Sequence, residues 1–258
     1  MVYDYLIVGA GMAGVSLAYR LPRDAQVLIL ERESHAAYHS TGRSAAMFVE
    51  TYGTETIRAL TVAGNDFFSH PPEGFTDQPI LLPRGVLYVG TAEQQDLLDS
   101  QYQDWLEQGL DVSRLSAEQA LALVPCLDPD TLAGALYDGQ GQDMDVHALH
   151  QGFLKGAQAK GVSLRLDAEV VSAQWDGECW DVQLEGEATR LRTRVLVNAA
   201  GAWADTLAQR CGVQALGIQP KRRSAFLFSP PEGVDHRQWP AVIDIGEEFY
   251  FKPDAGML

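Results

Sequence analysis

The sequence is poor in cysteine, and this shortage excludes two classes of protein. Its three cysteines, Cys126, Cys179 and Cys211, lie far apart and form no Cys-x-x-Cys pair. A disulfide-rich scaffold and a cysteine-based zinc site are therefore excluded. The six histidines have no zinc-ligand spacing either, so we predict no metal site. Few, scattered cysteines are typical of the reducing cytosol, and we predict a cytoplasmic location.

Basic residues are also scarce. Nineteen Lys and Arg stand against 35 Asp and Glu, which gives the 258-residue chain a formal net charge of -16. Such a charge repels phosphate backbones. The only dense basic cluster, at 221–223, is too short to offset it. We therefore predict that nucleic acid is not a partner.

Long apolar runs are absent from the sequence as well. No run approaches the roughly 18 residues that would predict a membrane-spanning helix, so we predict no integral membrane segment. The apolar stretch at 6–15 lacks a basic segment before it and is interrupted by three glycines, which is unlike a secretion signal. Hydrophobic residues make up 46% and charged residues 21%, as in ordinary globular proteins.

The first thirty residues predict a strand, a helix and a second strand. An apolar strand at 3–8 is followed by Gly9, a helix at about 11–21 that Pro22 ends, and an apolar strand at 26–30. A strand–helix–strand order predicts a parallel sheet, and hence an α/β fold.

The turn between the first strand and helix has the spacing of a dinucleotide-binding motif. Gly9, Gly11 and Gly14 would allow a tight turn, close approach of a pyrophosphate and close packing of helix on sheet. The helix N-terminus would attract the phosphates. Glu31 ends the second strand, where a carboxylate would accept hydrogen bonds from a ribose, which disfavours NADP. The motif leaves NAD and FAD open.

The rest of the chain alternates between two patterns of secondary structure, which predicts two discontinuous domains. Parallel strand–helix segments at 1–83 and 145–205 would form a Rossmann-like domain. Mixed and antiparallel segments at 84–144 and 206–258 would form a second domain. Within them we predict a helix at 54–70 with an apolar face that includes Ile57 and Leu60, capping boxes that begin at Thr91 and Ser116, close backbone packing at Gly152 and Gly156, and a strand at 222–228.

A second glycine-containing segment distinguishes the two cofactors. Residues 38–46 form a run of small residues around one arginine, suited to a flat ring and an anion together. With Gly9-x-Gly11-x-x-Gly14 and Glu31-Arg32, the run Ser40 to Ala46 resembles the D-amino-acid oxidase family of FAD enzymes. The similarity continues through the segments at 149–152, 197–203, 219–226 and 249–258. Within the family the chain most resembles the bacterial FAD-dependent D-arginine dehydrogenases.

The resemblance implies a Rossmann-like FAD-binding domain, FAD bound without a covalent link, and a mixed-sheet substrate domain. The cofactor-binding residues that it implies are Gly9, Gly11, Met12, Ala13, Gly14, Glu31, Arg32, Ser40, Thr41, Arg43, Ser44, Ala45, Ala46, Val170, Ala200, Gly201 and Trp203.

The resemblance further implies oxidative deamination of a D-amino acid. Hydride would leave the substrate Cα for flavin N5, and water would release the 2-oxo acid and ammonia. Of the two arginines on opposite faces of the predicted strand, Arg222 and Arg223, the resemblance selects Arg223 to grip the substrate carboxylate. It also selects Tyr52 and Tyr250 for the substrate pocket. Simple packing is the alternative for both tyrosines.

Three positions depart from the arginine dehydrogenase pattern. Val86 stands where that pattern has an acidic residue, Met47 stands in place of a histidine, and Val49 replaces a hydroxyl residue. All three changes predict a less polar pocket and favour a bulky apolar D-amino acid. Glu50 or Asp244 could instead supply the partner of a basic substrate, so both substrate classes stay open.

Family members continue well past the last residue here, so the chain is either a fragment or a truncated relative. Three alternatives to a D-amino-acid dehydrogenase stay open: a glycine or N-methyl amino acid oxidase, a more distant 2-hydroxy acid dehydrogenase, and a flavin-binding remnant without activity. The expected partners are an amino acid and an electron acceptor, either oxygen or a quinone. A membrane quinone would place the protein at the periphery of a membrane.

Overall fold

The computed structural model describes residues 1–222, 224–230 and 232–258. Arg223, the predicted carboxylate ligand, therefore lies outside the described residues. The described chain divides into two compact units. The first unit comprises Met1–Ala45, Pro71–Ile80 and residues 145–222, and the second comprises Ala46–His70, Leu81–Met144 and the described residues after 223.

The first half of the chain contains the elements β1 (Val2–Val8), α1 (Met12–Arg20), β2 (Val27–Leu30), β3 (Met47–Phe48), α2 (Glu55–Ser69), β4 (Leu81–Pro83), β5 (Val86–Thr91), α3 (Gln95–Glu107), β6 (Val112–Ser116), α4 (Ala117–Leu123) and β7 (Leu132–Asp138). The second half contains β8 (Gln142–Met144), α5 (Val146–Gln158), β9 (Ser163–Arg165), β10 (Val170–Trp175), β11 (Trp180–Leu184), β12 (Leu191–Asn198), α6 (Ala204–Arg210), β13 (Ala241–Asp244) and β14 (Tyr250–Phe251).

The first unit is built on a six-stranded sheet in the order β10-β11-β12-β1-β2-β9. β1 pairs in parallel with β2 and with β12, and β9 pairs in parallel with β2. β10, β11 and β12 form an antiparallel meander at the other edge. The predicted parallel strand–helix–strand unit and the α/β class are confirmed.

The helices α1 and α5 pack together, but the glycines of α5 face aromatic rings and not, as predicted, another backbone. A Cβ atom at Gly152 would lie 2.3 Å from the Phe75 ring, and one at Gly156 would lie 2.5 Å from the Tyr19 ring. These rings and Phe153 form edge-to-face pairs with centroids 5.1–5.6 Å apart. The glycines therefore let aromatic side chains fill the space between the helices.

The second unit is built on a five-stranded sheet in the order β14-β13-β5-β7-β6 and a small sheet in the order β3-β8-β4. β5 pairs in parallel with β13, and the other pairs are antiparallel. Both predicted capping boxes are present, at Thr91 with Gln94 and at Ser116 with Gln119. Valines and leucines of β5 and β7, including Val86, Leu87 and Leu136, form its buried core.

The unit boundaries differ from the predicted domains in two places. Residues 46–70 and 81–83 belong to the second unit, because β3 and β4 both pair with β8. Residues 206–222 belong to the first unit, because Leu207 of α6 is buried against its sheet core. Strand-like sequence alone cannot reveal these partners, which lie far away along the chain.

Two predictions about local structure are wrong. The described part of 222–228 forms no strand; only Phe228 bonds in both directions with the backbone of Leu258. The alternation argument for the two arginines therefore has no strand to rest on. The predicted apolar face of α2 is not buried either, since Ile57 is 48% and Leu60 is 65% exposed. Among the described residues, no helix has the length and apolar character needed to cross a membrane.

Candidate functional site

The turn between β1 and α1 has space only for glycine at two positions. Gly9 has a φ of +112°, and a Cβ there would lie 2.3 Å from the carbonyl oxygen of Ala199. A Cβ at Gly14 would lie 1.9 Å from the carbonyl oxygen of Gly9. α1 then begins at Met12, with Gly11 as its N-cap. The turn therefore places the amide end of a helix directly above the sheet.

Glu31 closes this turn from the neighbouring strand. Its Oε2 accepts a hydrogen bond from the Ala10 amide at 2.9 Å, and its Oε1 accepts one from the Glu33 amide at 3.1 Å. A carboxylate has about four acceptor positions, so two hydroxyl groups can still be bound. The carboxylate thus shapes the turn and keeps capacity for a ribose.

A cavity lies at the carboxyl ends of β1 and β2, within the first unit. The predicted cofactor residues that line it are Gly9, Gly11, Glu31, Arg32, Ser40, Thr41, Val170, Ala200, Gly201 and Trp203. They come from five separate stretches of the chain, which the fold brings to one edge of the sheet. Crevices at this edge of parallel sheets are where nucleotides bind.

One wall of the cavity is a group of flat side chains in which Arg32 stacks on the Trp203 ring and His39 is tilted against it. The Arg32 guanidinium carbon lies 3.8 Å from the Trp203 ring centroid, and the His39 ring centroid lies 4.5 Å from it. Glu33 Oε1 accepts from Arg32 Nε at 3.0 Å and lies 2.8 Å from His39 Nε2. The hydrogen bond from His39, reinforced by Arg32, lowers the pKa of the Glu33 carboxyl. The stack offers a rigid, partly cationic surface to a planar ring.

The remaining predicted cofactor residues do not line the cavity. In the first turn of α1, the Met12 amide donates to Thr41 Oγ1 at 3.1 Å, and Ala13 and Gly14 follow it. Arg43 is exposed and donates from Nε to the Tyr38 carbonyl. Ser44 and Ala45 end the first stretch of the first unit, and Ala46 already belongs to the second.

Several lining residues were missed by the sequence reasoning. Tyr38 and His39 lie within the segment 38–46 that the sequence singled out, although neither was among the predicted cofactor residues. Nothing in the sequence around Arg210 indicated a role in the cavity. Its guanidinium reaches the cavity by donating to the Val170 carbonyl at 2.7 Å and to Glu169 Oε1 at 2.6 Å. These bonds tie α6 to β10 across 40 residues of sequence.

The cavity fits a flavin adenine dinucleotide in its donor and acceptor groups. The glycine turn and the start of α1 offer amides and a positive dipole to a pyrophosphate, and Glu31 offers acceptors to a ribose. A family model described as DAO, FAD-dependent oxidoreductase, matches residues 4–258. The chain belongs to this family. Its cofactor is FAD.

Named relatives support the family at low identity. The chain is 24% identical to bovine (Bos taurus) FAD-dependent oxidoreductase domain-containing protein 1, over 98% of its own length and 60% of that protein's. It is 25% identical to mitochondrial dimethylglycine dehydrogenase of Rattus norvegicus, over 99% of its length and 30% of that enzyme's. The fold matches the crystal structure of glycine oxidase from Geobacillus kaustophilus with a TM-score of 0.79 at 22% identity, covering 98% of this chain and 69% of that one.

In the second unit, the residues predicted to shape a substrate pocket fall into two groups. Tyr52 and Tyr250 are each 46% exposed. Val86 and Val49 are buried in the core beside Trp105 and Leu136, and Met47 packs on the edge of that core. The prediction that these apolar residues give a pocket an apolar wall is therefore wrong for Val86 and Val49.

The two carboxylates considered as partners for a basic substrate are already engaged within the second unit. Glu50 Oε1 accepts from Asn65 Nδ2 at 2.9 Å. Asp244 is buried and accepts from the Gly246 amide at 2.8 Å and from Gln94 Nε2 at 3.1 Å. Asp244 therefore closes the turn after β13.

A buried polar chain anchors the loop that carries Tyr52. Thr51 Oγ1 donates to Asp138 Oδ2 at 2.9 Å and lies 3.0 Å from the Tyr88 hydroxyl. All three side chains are buried, and burial raises the pKa of Tyr88. Because Thr51 points inward and is fixed, its neighbour Tyr52 is held on the surface of the unit.

Proposed function

We propose that the protein is an FAD-dependent dehydrogenase or oxidase that acts on the carbon–nitrogen bond of an amino acid. The observation that carries the proposal is the cavity of the first unit, in a chain that belongs to the FAD-dependent oxidoreductases. Dimethylglycine dehydrogenase and glycine oxidase among the relatives support an amine substrate that carries a carboxylate.

Different residues of the cavity would bind different parts of FAD. The Gly11 amide and the positive N-terminal end of α1 would bind the pyrophosphate, Glu31 would bind a ribose, and the Arg32–Trp203 stack would contact a planar ring. FAD would be held without a covalent link, since the His39 imidazole is engaged by Glu33 at 2.8 Å. When bound, FAD would supply the hydride acceptor for the substrate Cα–H bond.

For the substrate, we propose that Arg223 grips the carboxylate and that Tyr52 and Tyr250 contact the amino acid. The exposure of both tyrosines on the second unit is compatible with contact to a ligand. Water would then hydrolyse the imino acid to the 2-oxo acid and ammonia. We retain a D-amino acid as the proposed substrate. The side-chain class stays open, because Val86 and Val49 are core residues and Glu50 and Asp244 are engaged.

A glycine or N-methyl amino acid is the second candidate substrate. The glycine oxidase fold match and the sequence match to dimethylglycine dehydrogenase favour it. These substrates have a small side chain or none, so they need neither a basic nor an apolar side-chain pocket. A flavin-binding protein without activity is the third alternative.

Two measurements on the intact protein separate these candidates. The visible absorbance of bound flavin tests cofactor binding, and heat or acid denaturation should release all of it. Anaerobic bleaching of that absorbance by D-amino acids, L-amino acids, glycine and N-methylated glycines then identifies the substrate. Bleaching by D-amino acids alone supports the first proposal, and bleaching by glycines alone replaces it with the second. Flavin that no amine reduces would overturn both.

The carboxylate ligand is tested by comparing two adjacent arginines. Arg223→Ala should raise KM at least tenfold, since losing a charge-assisted contact to a carboxylate costs on the order of 1.5–3 kcal/mol. Arg222→Ala is the matched control and should leave KM nearly unchanged. A larger effect at Arg222 would show that the family alignment is displaced by one residue.

A further inference from the structure

His150 is a buried histidine to which the proposed function gives no task. It lies in the first half of α5, whose N-cap Asp145 accepts from the Ala148 amide at 2.8 Å. The side chain is 1% exposed. Its Nε2 lies 2.9 Å from the carbonyl oxygen of Ala10, 140 residues earlier in the chain. The helix α5 therefore contacts the glycine turn directly.

The direction of this hydrogen bond fixes the state of the imidazole. A carbonyl oxygen only accepts, so Nε2 must carry the proton. Burial lowers the pKa of His150, although the bond to Ala10 opposes the effect. The neutral ring with a proton on Nε2 is therefore the form that the fold holds near neutral pH.

Ala10 is held on both sides of its backbone. Its amide donates to Glu31 Oε2 at 2.9 Å, and its carbonyl accepts from His150 at 2.9 Å and from the Ala37 amide at 3.3 Å. In a trans peptide the N–H points away from the C=O. Because the Ala10 carbonyl points at His150, the amide of Gly11 points away from α5, and Gly11 lines the cavity.

We propose that His150 is a positioning residue for the cofactor pyrophosphate. By holding the Ala10 carbonyl, it fixes the plane of the Ala10–Gly11 peptide and so aims the Gly11 amide as a preorganised donor. Without His150 only the longer bond from the Ala37 amide holds this carbonyl, so the peptide is less fixed and part of the phosphate affinity is spent on ordering it. The inference rests on the assignment of FAD to this cavity and is independent of which substrate is oxidised.

The experiment compares substitutions at two histidines of the same helix. His150→Leu removes the donor and keeps an apolar side chain in the core, while His150→Gln keeps an amide N–H in reach of Ala10. His147→Gln is the control, since His147 is exposed and one turn away. Dissociation constants for FAD, ADP and adenosine are measured on the intact, cofactor-free proteins, together with their thermal unfolding.

We expect His150→Leu to weaken FAD and ADP by a similar factor of about ten or more, because losing one preorganised hydrogen bond costs on the order of 1.4 kcal/mol. Adenosine, which lacks phosphate, should bind as before. His150→Gln should recover most of the affinity, and His147→Gln should match the wild type.

Other outcomes would overturn the inference in distinguishable ways. Equal loss for adenosine and ADP would show that His150 only supports the general structure of the unit. Wild-type FAD affinity in His150→Leu would show that the bond to Ala10 is irrelevant to binding. If His150→Leu does not fold, His150→Met, which also lacks a donor, takes its place, and an unchanged ratio of ADP to adenosine affinity in that variant would overturn the inference. A wild type that binds no FAD would refute the cofactor assignment itself.

Discussion

The two units use different parts of the chain to build what function requires of them. In the first, the proposed cofactor site is mostly main chain: a glycine turn, a helix start and the backbone of Ala10, which Glu31 binds at the amide and His150 at the carbonyl. In the second, the proposed substrate contacts are side chains, and the polar chain of Thr51, Tyr88 and Asp138 only supports them. In a site built from main chain, steric limits decide which residue types are allowed. In a site built from side chains, binding depends on which residues face the ligand.

Adding one methyl group to each unit should test this contrast most strongly. Gly14→Ala places a Cβ 1.9 Å from the Gly9 carbonyl, whereas Gly139→Ala meets only the Tyr137 ring, at 3.4 Å. We expect Gly14→Ala to lower the free energy of unfolding by more than about 3 kcal/mol and to abolish FAD binding. Gly139→Ala should change stability by less than about 1 kcal/mol. Urea unfolding and FAD titration measure both, and a stable, FAD-binding Gly14→Ala would contradict the steric argument.

Substituting Glu31 should separate its two tasks in the first unit. Glu31→Ala removes the acceptors for the Ala10 amide and for the ribose, so FAD affinity should fall roughly tenfold to a hundredfold. Glu31→Gln keeps one acceptor for Ala10 and should lose less. Exposed Glu178→Gln is the control for the change of charge. Isothermal titration measures the affinities; equal losses in both Glu31 variants would indicate that charge alone matters.

Removing one hydroxyl in the second unit should affect stability without affecting the cofactor. Thr51→Val keeps the shape but leaves Asp138 and Tyr88 short of a partner, which should cost about 1–3 kcal/mol. FAD affinity should be unchanged, because every lining residue of the cavity belongs to the first unit. Thr131→Val, at an exposed position, is the matched control. Weaker FAD binding in Thr51→Val would show that the units are coupled.

The smallest expected effect is a pH dependence of stability that arises in the first unit. Because the folded state lowers the pKa of His150 below its ordinary value of 6.5, the unfolded chain binds that proton more readily. The free energy of unfolding contributed by His150 is therefore complete above about pH 6.5 and decreases as the pH falls below it. Thermal unfolding of the wild type and of His150→Gln across this range should diverge on the acid side. Parallel curves would contradict the assignment.

Sequence reasoning predicted the glycine turn well because sterics leave few choices there. Gly14 is required by the nearby Gly9 carbonyl, and Gly9 by its own positive φ, so spacing alone reveals both; the contact of Gly9 with Ala199 lies 190 residues away and was not predictable. The hydrogen bond from the Ala10 amide to Glu31 was not predicted. A main-chain amide does not depend on the residue type, so the sequence at position 10 gives no sign of this bond.

Other features depended on partners that are distant along the chain. Val86 was predicted as a pocket residue, but its strand pairs on both sides, with β7 and β13, and its side chain is fully buried. The strand predicted at 222–228 failed for the same reason, because in the described residues only Phe228 finds a backbone partner there, at Leu258. His150 lay in a family-like segment, yet only the tertiary structure shows that it reaches Ala10.

The pairing of β1 with β12 has a consequence for how the protein is made. Val2 pairs with Arg192, so the centre of the first sheet joins the beginning of the chain to a strand nearly two hundred residues later. Chains are synthesised from the N-terminus, and long-range strand pairing is slow. During translation one edge of the apolar strand β1 therefore stays unpaired until β12 has left the ribosome. Because Ala200, Gly201 and Trp203 follow β12 at once, the nucleotide cavity is completed in the same step that closes this edge.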